Sequence, residues 1–274
     1  MPELPEVETV RRGLAPFMEG RVIRRAVAYR PDLRKPLPAD LAARLSGRRV
    51  LRLDRRSKYL LVCLDDDAVL IVHLGMSGSL QAIRDAGPAG RHDHVDLVFD
   101  DVTVRFRDPR RFGLIDLTRL DALDSHPLFA KLGPEPLGSD FDGAALMERL
   151  AGRTGPVKSA LMNQGVVAGL GNIYVSESLF LAGISPRRSA RTVRGLRAEA
   201  LAKAIRAVLA RAIEAGGSSL RDHRQPSGDI GLFQHNFQVY DREGRRCPRR
   251  ACPGTIRRIV QAGRATFHCR HCQR

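Results

Sequence analysis

The chain has 274 residues, which is enough for about two domains. Forty-six Lys and Arg against thirty Asp and Glu give a formal net charge of +16. Genomic drift toward arginine explains why only five of these residues are lysines, but it does not explain the basic excess, so nucleic acid is the expected partner. The longest apolar runs, at 59–64 and 69–74, are too short to cross a bilayer, so we expect a cytoplasmic protein with no membrane partner.

The N-terminal half predicts one helix followed by strands. The opening MPELPEVE is a good helix start, with Pro5 at the first helical position and glutamates near the positive end of the helix dipole. Val7, Val10 and Leu14 form the apolar stripe of this helix. Residues 50 to about 117 predict a β-sandwich or barrel-like domain, with the strand segments VLRL, KYLLVCL, AVLIVHL, DHVDLVF and VTVRF.

Helical periodicity replaces the strand pattern after a stretch rich in Gly, Pro and Asp at 131–143, where we expect the domain boundary. Short helices are predicted at 156–163 and 172–181. The clearest helix is stopped by Gly216 and Gly217. Its apolar face comprises Leu201, Ile205, Val208, Leu209, Ala212 and Ile213.

Four of the five cysteines lie in the last 28 residues and form the pattern C-x4-C-x16-C-x2-C. In a reducing compartment this spacing favours one tetrahedral zinc ion over disulfides, and a module this small needs such a ligand to fold. Two unrelated disulfides are the alternative. The predicted metal ligands are Cys247, Cys252, Cys269 and Cys272.

The segment between the cysteine pairs, TIRRIVQAGRATFH, predicts a strand, a glycine turn and a second strand. It places Arg264 at a hairpin tip, where it is suited to phosphate or groove contact; a merely solvated arginine is the alternative. His268 and His271 flank the last cysteine pair, and we expect both at the surface because four sulfurs already close the site. Cys63, within LLVCL, is expected to be a buried core thiol.

With MPELPEVE at one end and QAGRATFHCRHCQR at the other, the chain resembles the formamidopyrimidine-DNA glycosylase family over essentially its whole length. Further matching segments are KYLL, HLGMSGSL, DPRRFG, LGPEPL and GLGNIYVSESLF. The resemblance implies an α+β multidomain fold with one structural zinc ion. Its implied parts are an N-terminal catalytic β-sandwich with flanking helices at 1–132, a linker at 133–143, a helix-two-turn-helix domain at 144–232 and a zinc-finger β-hairpin at 233–274.

The same resemblance implies a bifunctional enzyme of base excision repair. Its DNA glycosylase activity would remove oxidised purines, namely 8-oxoguanine and formamidopyrimidines, from damaged double-stranded DNA. Its lyase activity would cleave the strand at the apurinic or apyrimidinic site by β,δ-elimination. We expect a monomer that associates with the nucleoid when it is bound to DNA.

The resemblance assigns the nucleophile to Pro2. If Met1 is removed, as a small second residue permits, the terminus becomes a secondary amine that can form a Schiff base with C1′ of a nucleotide. An α-amino group titrates near about 8, against about 10.4 for lysine, so more of it is neutral at pH 7. Glu3 is implied to be the acid/base of the reaction. Glu6 has two open interpretations, a carboxylate that orients the terminus or simply a favourable residue at a helix start.

Several DNA contacts follow from the resemblance. Lys58 matches a phosphate and active-site contact, which joins Arg264 in the implied catalytic set, and Lys158 is implied to lie near the damaged base or its backbone. The scarcity of lysine supports both lysine assignments, because a retained lysine marks a place where a compact charge is useful. The remaining implied DNA contacts are His73, Asn172 and Tyr174.

A glycosylase must extrude its target nucleotide and fill the gap that is left in the duplex. Met76, Arg110 and Phe112 match the family's gap-filling residues, with Met76 and Phe112 as apolar wedges and Arg110 against the opposite base. Without the resemblance, Met76 and Phe112 would be interpreted as core residues.

The resemblance also includes one loop, and the sequence departs from the family pattern at two places. Residues 216–231 resemble the loop that closes over the everted base, in which Ser218 and Ser219 are candidate base contacts. The first cysteine pair, CPRRAC, has four intervening residues where the family usually has two, so we expect a distorted turn around an intact metal site. Asp241 stands where a glycine is common.

Three alternatives stay open at this point. The related endonuclease VIII branch, which acts on oxidised pyrimidines, typically begins PEGPE, whereas Leu4 and the RRF triplet here favour the purine branch. A non-catalytic duplex-DNA-binding protein would be favoured by a retained Met1. A zinc-finger interaction module without nucleic acid would require duplex affinity to be insensitive to salt.

Overall fold

The computed structural model describes residues 2–218 and 231–274, which form two compact units. The first unit comprises the described residues up to Ala130 and those between Ala215 and Leu232. The second comprises Lys131–Glu214 and Phe233–Arg274. None of the helices within these described ranges is long and apolar enough to cross a membrane.

The first unit contains two four-stranded antiparallel sheets, with strand orders β2-β3-β4-β8 and β1-β6-β7-β5. The sheets and helix α1 share one core, to which Val10, Val62 and Val104 contribute. This arrangement is the predicted β-sandwich with flanking helices. Its elements are α1 (Leu4–Met18), β1 (Arg25–Ala28), α2 (Leu41–Leu45), β2 (Val50–Arg56), β3 (Tyr59–Leu64), β4 (Ala68–His73), β5 (Ser79–Ile83), β6 (Asp93–Val98), β7 (Thr103–Arg107) and β8 (Leu114–Arg119).

Helix α1 begins one residue earlier than the sequence predicts, at Leu4, because Glu3 takes the N-cap position. The predicted stripe of Val7, Val10 and Leu14 is buried, with exposed fractions of 0–1%. Periodicity therefore sets the rotation of this helix, and the rotation fixes which way the N-terminal glutamates point.

The second unit is helical, with α3 (Gly143–Leu150), α4 (Val157–Leu161), α5 (Asn172–Leu181) and α6 (Leu196–Glu214). The apolar face predicted for α6 is buried throughout, and the helix ends before the two predicted stop glycines. Helix α5 is buried from Ile173 to Phe180, so this stretch is a core helix with no solvent-exposed face.

The same unit carries the predicted hairpin, formed by β9 (Ile256–Gln261) and β10 (Arg264–Cys269). Ala262 and Gly263 make its two-residue turn, with φ of 47° and 71°. Two successive positive φ angles match the twist of an antiparallel hairpin, which is why glycine is favoured here. Phe180 of α5 packs in one cluster with Phe267 and with Cys247, Cys252 and Cys269.

Candidate active site and nucleic-acid interface

The N-terminus of helix α1 holds the proposed reaction centre in a buried setting. Pro2 is buried, and Glu3 and Glu6 are only 4% and 2% exposed. The Glu6 carboxylate accepts a hydrogen bond from the backbone N–H of Glu3 at 2.8 Å, which is one half of a capping box between the two residues. The backbone just after Pro2 is therefore held in place by a side chain one helical turn further on.

Glu6 also contacts Ser218, which is distant in the sequence. Its Oε1 accepts from the backbone N–H of Ser218 at 2.8 Å and from the Ser218 hydroxyl at 2.9 Å. One carboxylate thus serves both the helix start and a distant segment, and the role in orienting the terminus that was predicted for Glu6 stays a prediction. Ser218 is 5% exposed and its hydroxyl is used by Glu6, and the base contact predicted for it stays a prediction. Ser219 lies outside the described residues.

Tight glycine contacts bring residues 216–218 against residues 231–232. Leu232 donates its N–H to the carbonyl of Ala215 at 3.0 Å, and Ser218 forms an antiparallel bridge with Leu232. A Cβ on Gly231 would lie 2.4 Å from the carbonyl oxygen of Gly217. Only glycine fits this crossing, which explains a glycine at each end of the predicted loop.

Lys58 lies in the turn between β2 and β3, where Ser57 has a positive φ of 55°. Its side chain is 5% exposed, and its charge reaches His73, which ends the neighbouring strand β4. Tyr59 is paired with His73 across the two strands, with ring centroids 4.9 Å apart. The strand register thus places the two predicted phosphate contacts, Lys58 and His73, at one end of the same sheet.

His73 is held as a neutral imidazole of defined tautomer. Burial, together with the positive charges of Lys58 and Arg34, lowers the pKa of His73 to about 4. Nδ1 accepts a hydrogen bond from the backbone N–H of Gly75 at 3.0 Å, so the single ring proton is on Nε2. His73 can therefore donate one hydrogen bond to a phosphate oxygen at neutral pH without carrying a charge.

The predicted wedge residues are at the surface of the first unit. Met76 and Phe112 are each 44% exposed, so neither is a core residue. The guanidinium carbon of Arg110 lies 4.8 Å from the ring centroid of Phe112, which holds the two side chains together as a cation–π pair. Exposed apolar side chains beside an exposed arginine form a surface that suits insertion into a base stack.

Asp108 organises the loop that carries Arg110 and Phe112, a role that sequence reasoning missed. Its carboxylate is fully buried and accepts from the Ser77 hydroxyl at 2.6 Å and from the backbone N–H groups of Arg110 and Gly113 at 3.2 and 2.7 Å. An Asp-Pro pair at the start of a turn was the available signal. One buried carboxylate thus connects residues 108–113 to the loop that carries Met76.

The loop that carries Met76 and the loop at 108–113 approach each other closely at Gly75. A Cβ on Gly75, whose φ is +66°, would lie 2.4–2.6 Å from backbone atoms of Phe112 and Gly113. We expect Gly75→Ala to lower the free energy of unfolding by about 3–5 kcal/mol in urea titration, since overpacking adds to the cost of a left-handed residue. Gly20 is the matched control, with φ +76° and nothing within 4 Å, and Gly20→Ala should cost only about 1–2 kcal/mol. Equal losses in the two variants would contradict the close approach.

In the second unit, Lys158 and Asn172 both hold strand β10. The Lys158 ammonium donates to the Ala265 carbonyl at 3.0 Å and to the Thr266 hydroxyl at 2.6 Å, and the Asn172 amide donates to the same carbonyl at 2.9 Å. Lys158 is 1% exposed. The two side chains fix the backbone directly beside Arg264, and the direct DNA contacts predicted for them stay predictions.

Arg264 is exposed at the start of β10, next to the hairpin turn, as the sequence predicts. Tyr174, by contrast, is fully buried and packs on Phe233 with ring centroids 5.7 Å apart. Its ring belongs to the core of the second unit, and the DNA contact predicted for it stays a prediction.

Glu177 of α5 is a further buried carboxylate that sequence reasoning missed. It accepts from three successive backbone N–H groups, those of Gln238, Val239 and Tyr240, at 2.8–3.0 Å. Burial raises the pKa of Glu177 against the lowering effect of these donors. The contact connects helix α5 to the segment that leads into the cysteine-bearing hairpin.

The four predicted ligands form one cluster, in which the Sγ atoms of Cys247, Cys252, Cys269 and Cys272 all lie within 4.8 Å of one another. The Sγ distances are 3.5 Å for Cys247 to Cys272 and 3.7 Å for Cys252 to Cys269. Four sulfurs bound tetrahedrally at about 2.3 Å from zinc are about 3.8 Å apart, and the two close pairs already have nearly this spacing. The four thiols thus form a cluster that could hold one metal ion.

Both departures noted in the sequence lie where the backbone has a positive φ angle. The long CPRRAC loop ends with Ala251 at a positive φ of 60°, an uncommon conformation for alanine that matches the expected distortion. Asp241 has a φ of 58°, a left-handed conformation that glycine adopts freely and aspartate tolerates. Gly254 is required for space, because a Cβ there would lie 2.8 Å from the Sγ of Cys269.

The structure corrects one expectation about the neighbouring histidines. His271 is exposed as predicted, but His268 is only 2% exposed, so its placement at the surface was wrong. Strand β10 is buried continuously from Thr266 to Cys269, because it packs against α5, and both faces of this short strand are covered. Cys63 is the buried core thiol that was predicted, and burial raises its pKa to about 11.

Comparison with known proteins places this geometry in a family. The formamidopyrimidine-DNA glycosylase N-terminal domain matches residues 1–115, and the formamidopyrimidine-DNA glycosylase H2TH domain matches residues 132–224. The formamidopyrimidine-DNA glycosylase of Rhodospirillum rubrum is 58% identical over 283 residues, and that of Ruegeria pomeroyi is 56% identical over 283 residues; each match covers 100% of both chains.

Solved structures agree over the same length. The Fpg protein of Thermus thermophilus superimposes with a TM-score of 0.88 at 42% identity, over 99% of this chain and 98% of that one. Lactococcus lactis Fpg in complex with DNA containing an abasic site gives a TM-score of 0.90 at 37% identity, over 99% of each chain.

The two-sheet core, the helix-two-turn-helix region and the four-cysteine hairpin define a DNA glycosylase of base excision repair. Both matched domains and full-length relatives agree on one family. The chain belongs to the formamidopyrimidine-DNA glycosylase family.

Proposed function

We propose that this glycosylase removes oxidised purines from duplex DNA through the amine of Pro2 and then cleaves the strand as a lyase. The observation that carries the proposal is the buried arrangement at the start of α1, where Pro2 and Glu3 lie beside each other and Glu6 holds the Glu3 backbone at 2.8 Å. A secondary amine next to a buried carboxyl group supplies a nucleophile and a proton carrier within one dipeptide. The preferred lesions are 8-oxoguanine and formamidopyrimidines.

The reaction starts when Met1 has been removed and the Pro2 nitrogen is unprotonated. Its lone pair forms a bond to C1′ while the bond from C1′ to the base breaks and the base leaves with that electron pair. The base takes up the proton that the Pro2 nitrogen releases after the attack, which leaves a neutral tertiary amine on C1′. Glu3 donates a proton to the sugar ring oxygen, the ring opens and an iminium ion joins Pro2 to C1′. Loss of a C2′ proton then expels the 3′ phosphate, a second elimination expels the 5′ phosphate, and water releases Pro2 from the sugar fragment.

The remaining predicted residues would bind the DNA and keep the nucleotide out of the stack. Lys58 supplies a compact positive charge and His73 a neutral Nε2–H donor for phosphate. Arg264 contacts phosphate from the hairpin turn, and Lys158 and Asn172 support its strand. The gap left by the everted nucleotide is filled by Met76, Arg110 and Phe112.

We assign the four-cysteine site to one structural zinc ion. The thiolates of Cys247, Cys252, Cys269 and Cys272 would hold it, and the ion supplies folding energy and takes no part in the chemistry. We place the enzyme in the cytoplasm as a monomer, in association with the nucleoid when it is bound to its substrate.

The experiment that tests the proposal is borohydride trapping on a duplex that contains 8-oxoguanine opposite cytosine. The purified protein is mixed with the duplex and borohydride, its intact mass is measured and any adduct is located by peptide mapping. We expect one covalent adduct on Pro2, in chains that lack Met1, and none with the undamaged duplex of the same sequence.

A parallel reaction with thymine glycol in the same sequence context separates the two enzyme alternatives. Faster trapping on thymine glycol than on 8-oxoguanine would favour the endonuclease VIII-like activity. Absence of adduct on either lesion, in chains that lack Met1 and contain zinc, would favour a duplex-binding protein that has lost its chemistry.

A further inference from the structure

The second unit carries a basic surface segment that the glycosylase chemistry does not use. Residues 182–198 contain five arginines and no acidic residue. Arg187, Arg191 and Arg194 are exposed, and so is Arg153, which is adjacent in space. We call these four residues the arginine track.

The track is continuous because backbone hydrogen bonds join its two chain segments. The Arg191 N–H donates to the carbonyl of Arg153 at 2.9 Å, and the Ala190 N–H donates to that of Gly155 at 2.9 Å. The Arg194 guanidinium donates to the carbonyl of Arg191 at 2.8 Å, which places its charge beside the other two.

One end of the track adjoins the hairpin. The Gln261 side chain donates to the carbonyl of Pro186 at 3.2 Å, one residue before Arg187, and Gln261 is the strand partner of Arg264. Arg187 therefore continues the basic surface that starts at Arg264, within one unit and along one set of connected backbone segments.

Charge pairing distinguishes the track from the other surface arginines. In the first unit, many exposed arginines are neutralised by aspartates; Arg24 pairs with Asp100 at 2.7 Å and Arg52 with Asp54 at 2.7 Å. Among residues 2–218 and 231–274, no carboxylate pairs with any of the four guanidinium groups of the track. Arginines without acidic neighbours leave a strong positive potential at this surface.

We propose that Arg153, Arg187, Arg191 and Arg194 form a phosphate-binding surface that extends the contact of Arg264 along the backbone of duplex DNA, beyond the site that holds the lesion. This inference rests on the proposed function, because duplex DNA is the polyanion that the enzyme meets. Each guanidinium that neutralises a phosphate releases counterions, so the track raises affinity for any duplex and steepens its dependence on salt. It carries no base readout and adds nothing to lesion choice.

The test compares the salt dependence of duplex binding for the wild-type enzyme and the triple variant Arg187→Gln, Arg191→Gln, Arg194→Gln. The dissociation constant for an undamaged duplex of about 30 base pairs is measured by fluorescence anisotropy between about 50 and 200 mM salt. The slope of log K against log salt should fall by about 2–3, so over this range the variant loses roughly 15- to 60-fold less affinity than the wild type. The variant should also bind more weakly at the lowest salt concentration.

Two matched variants make the result decisive. The triple Arg24→Gln, Arg52→Gln, Arg119→Gln removes the same charge from exposed arginines that have aspartate partners, and it should keep the wild-type slope. The triple replacement of track arginines by lysine should restore the slope, because phosphate neutralisation needs charge and not guanidinium shape.

Three results would overturn the proposal: an unchanged slope in the glutamine track variant, an equal fall in the aspartate-paired control, or no recovery with lysine. Failure of the proposed function shows itself separately, as a wild-type enzyme that gives no trapped adduct or does not bind duplex DNA. Thermal melting of each variant shows that it is folded before its slope is compared.

Discussion

Replacement of Glu3 by glutamine should lower the rate of 8-oxoguanine excision by about 10²- to 10⁴-fold, the usual contribution of a positioned proton donor. Glutamine keeps the size of the side chain and an oxygen that can cap helix α1, so the fold and the Glu6 contact to the backbone N–H should survive. What the variant loses is the proton for the sugar ring oxygen. The affinity for a duplex with 8-oxoguanine should stay within about two-fold, as expected if a residue acts only in the transition state.

Single-turnover excision at saturating enzyme, with affinity measured separately, distinguishes a chemical role from a binding role. Glu8→Gln is the matched control, because Glu8 is another buried glutamate of the same helix. Its carboxylate pairs with Arg11 at 2.8 Å and with Arg12 at 2.8 Å; burial raises the pKa of Glu8, but these arginines more than offset that effect and lower it. Glu8→Gln should lose stability but keep the rate of excision. Comparable rate losses in both variants, or unchanged excision in Glu3→Gln, would remove Glu3 from its assigned role.

Periodicity and residue spacing predict the elements whose signal lies within a short stretch of the sequence. The apolar face of α6 and the stripe of α1 follow from 3.6-residue periodicity, and both are buried as expected. The hairpin follows from two strand-like segments around an Ala-Gly turn. The cysteine spacing predicts the cluster of four sulfurs, because two close pairs of thiols are the ligand pattern typical of one tetrahedral ion.

The sequence does not predict strands β1 and β5, and the reason is physical. The sequence RAVA of β1 is too short for its alternation to be recognised, and SLQAI of β5 follows a glycine-rich loop. Each pairs at the edge of the same sheet, β1 with β6 and β5 with β7. Edge strands depend on a partner that is distant in sequence, so their own residues carry a weak signal.

The orientation of single side chains depends even more on distant contacts. Met76 and Phe112 have apolar side chains that would normally be buried, yet the loop geometry that Asp108 fixes leaves them exposed. His268 has a polar side chain of a kind that usually lies at the surface, yet α5 covers its strand. In both cases the decisive contact is between segments that no periodicity connects. The family resemblance supplied the role of the first pair, and no local pattern indicated the burial of His268.

Removal of the proposed zinc ion should unfold the hairpin and thereby weaken the binding of DNA by the second unit. The cluster that holds β9 and β10 is small, since three of its seven buried members are the cysteines Cys247, Cys252 and Cys269. A module of this size gains most of its folding free energy from the ion, on the order of 10 kcal/mol for zinc-finger peptides. Without the ion, Arg264 loses its fixed position at the hairpin turn.

We therefore expect one zinc ion per chain by atomic emission, and loss of that ion on treatment with a strong chelator. Duplex affinity should then fall at least about ten-fold, with recovery when zinc is restored, because the phosphate contacts of the hairpin are lost. Cysteine alkylation followed by mass spectrometry gives an internal control. The four site cysteines should become reactive, whereas Cys63, buried and with a pKa of about 11, should stay unmodified.

Two variants, Cys252→Ala and Cys63→Ala, test the same proposal without a chelator. Cys252→Ala removes one ligand and should reproduce the chelated enzyme, while Cys63→Ala changes a core thiol of the first unit and should keep both zinc and duplex affinity. A chelated enzyme that binds DNA as tightly as the zinc-loaded one would show that the hairpin folds without the metal. In that case the four thiols would be a redundant support and not the structural centre of the hairpin.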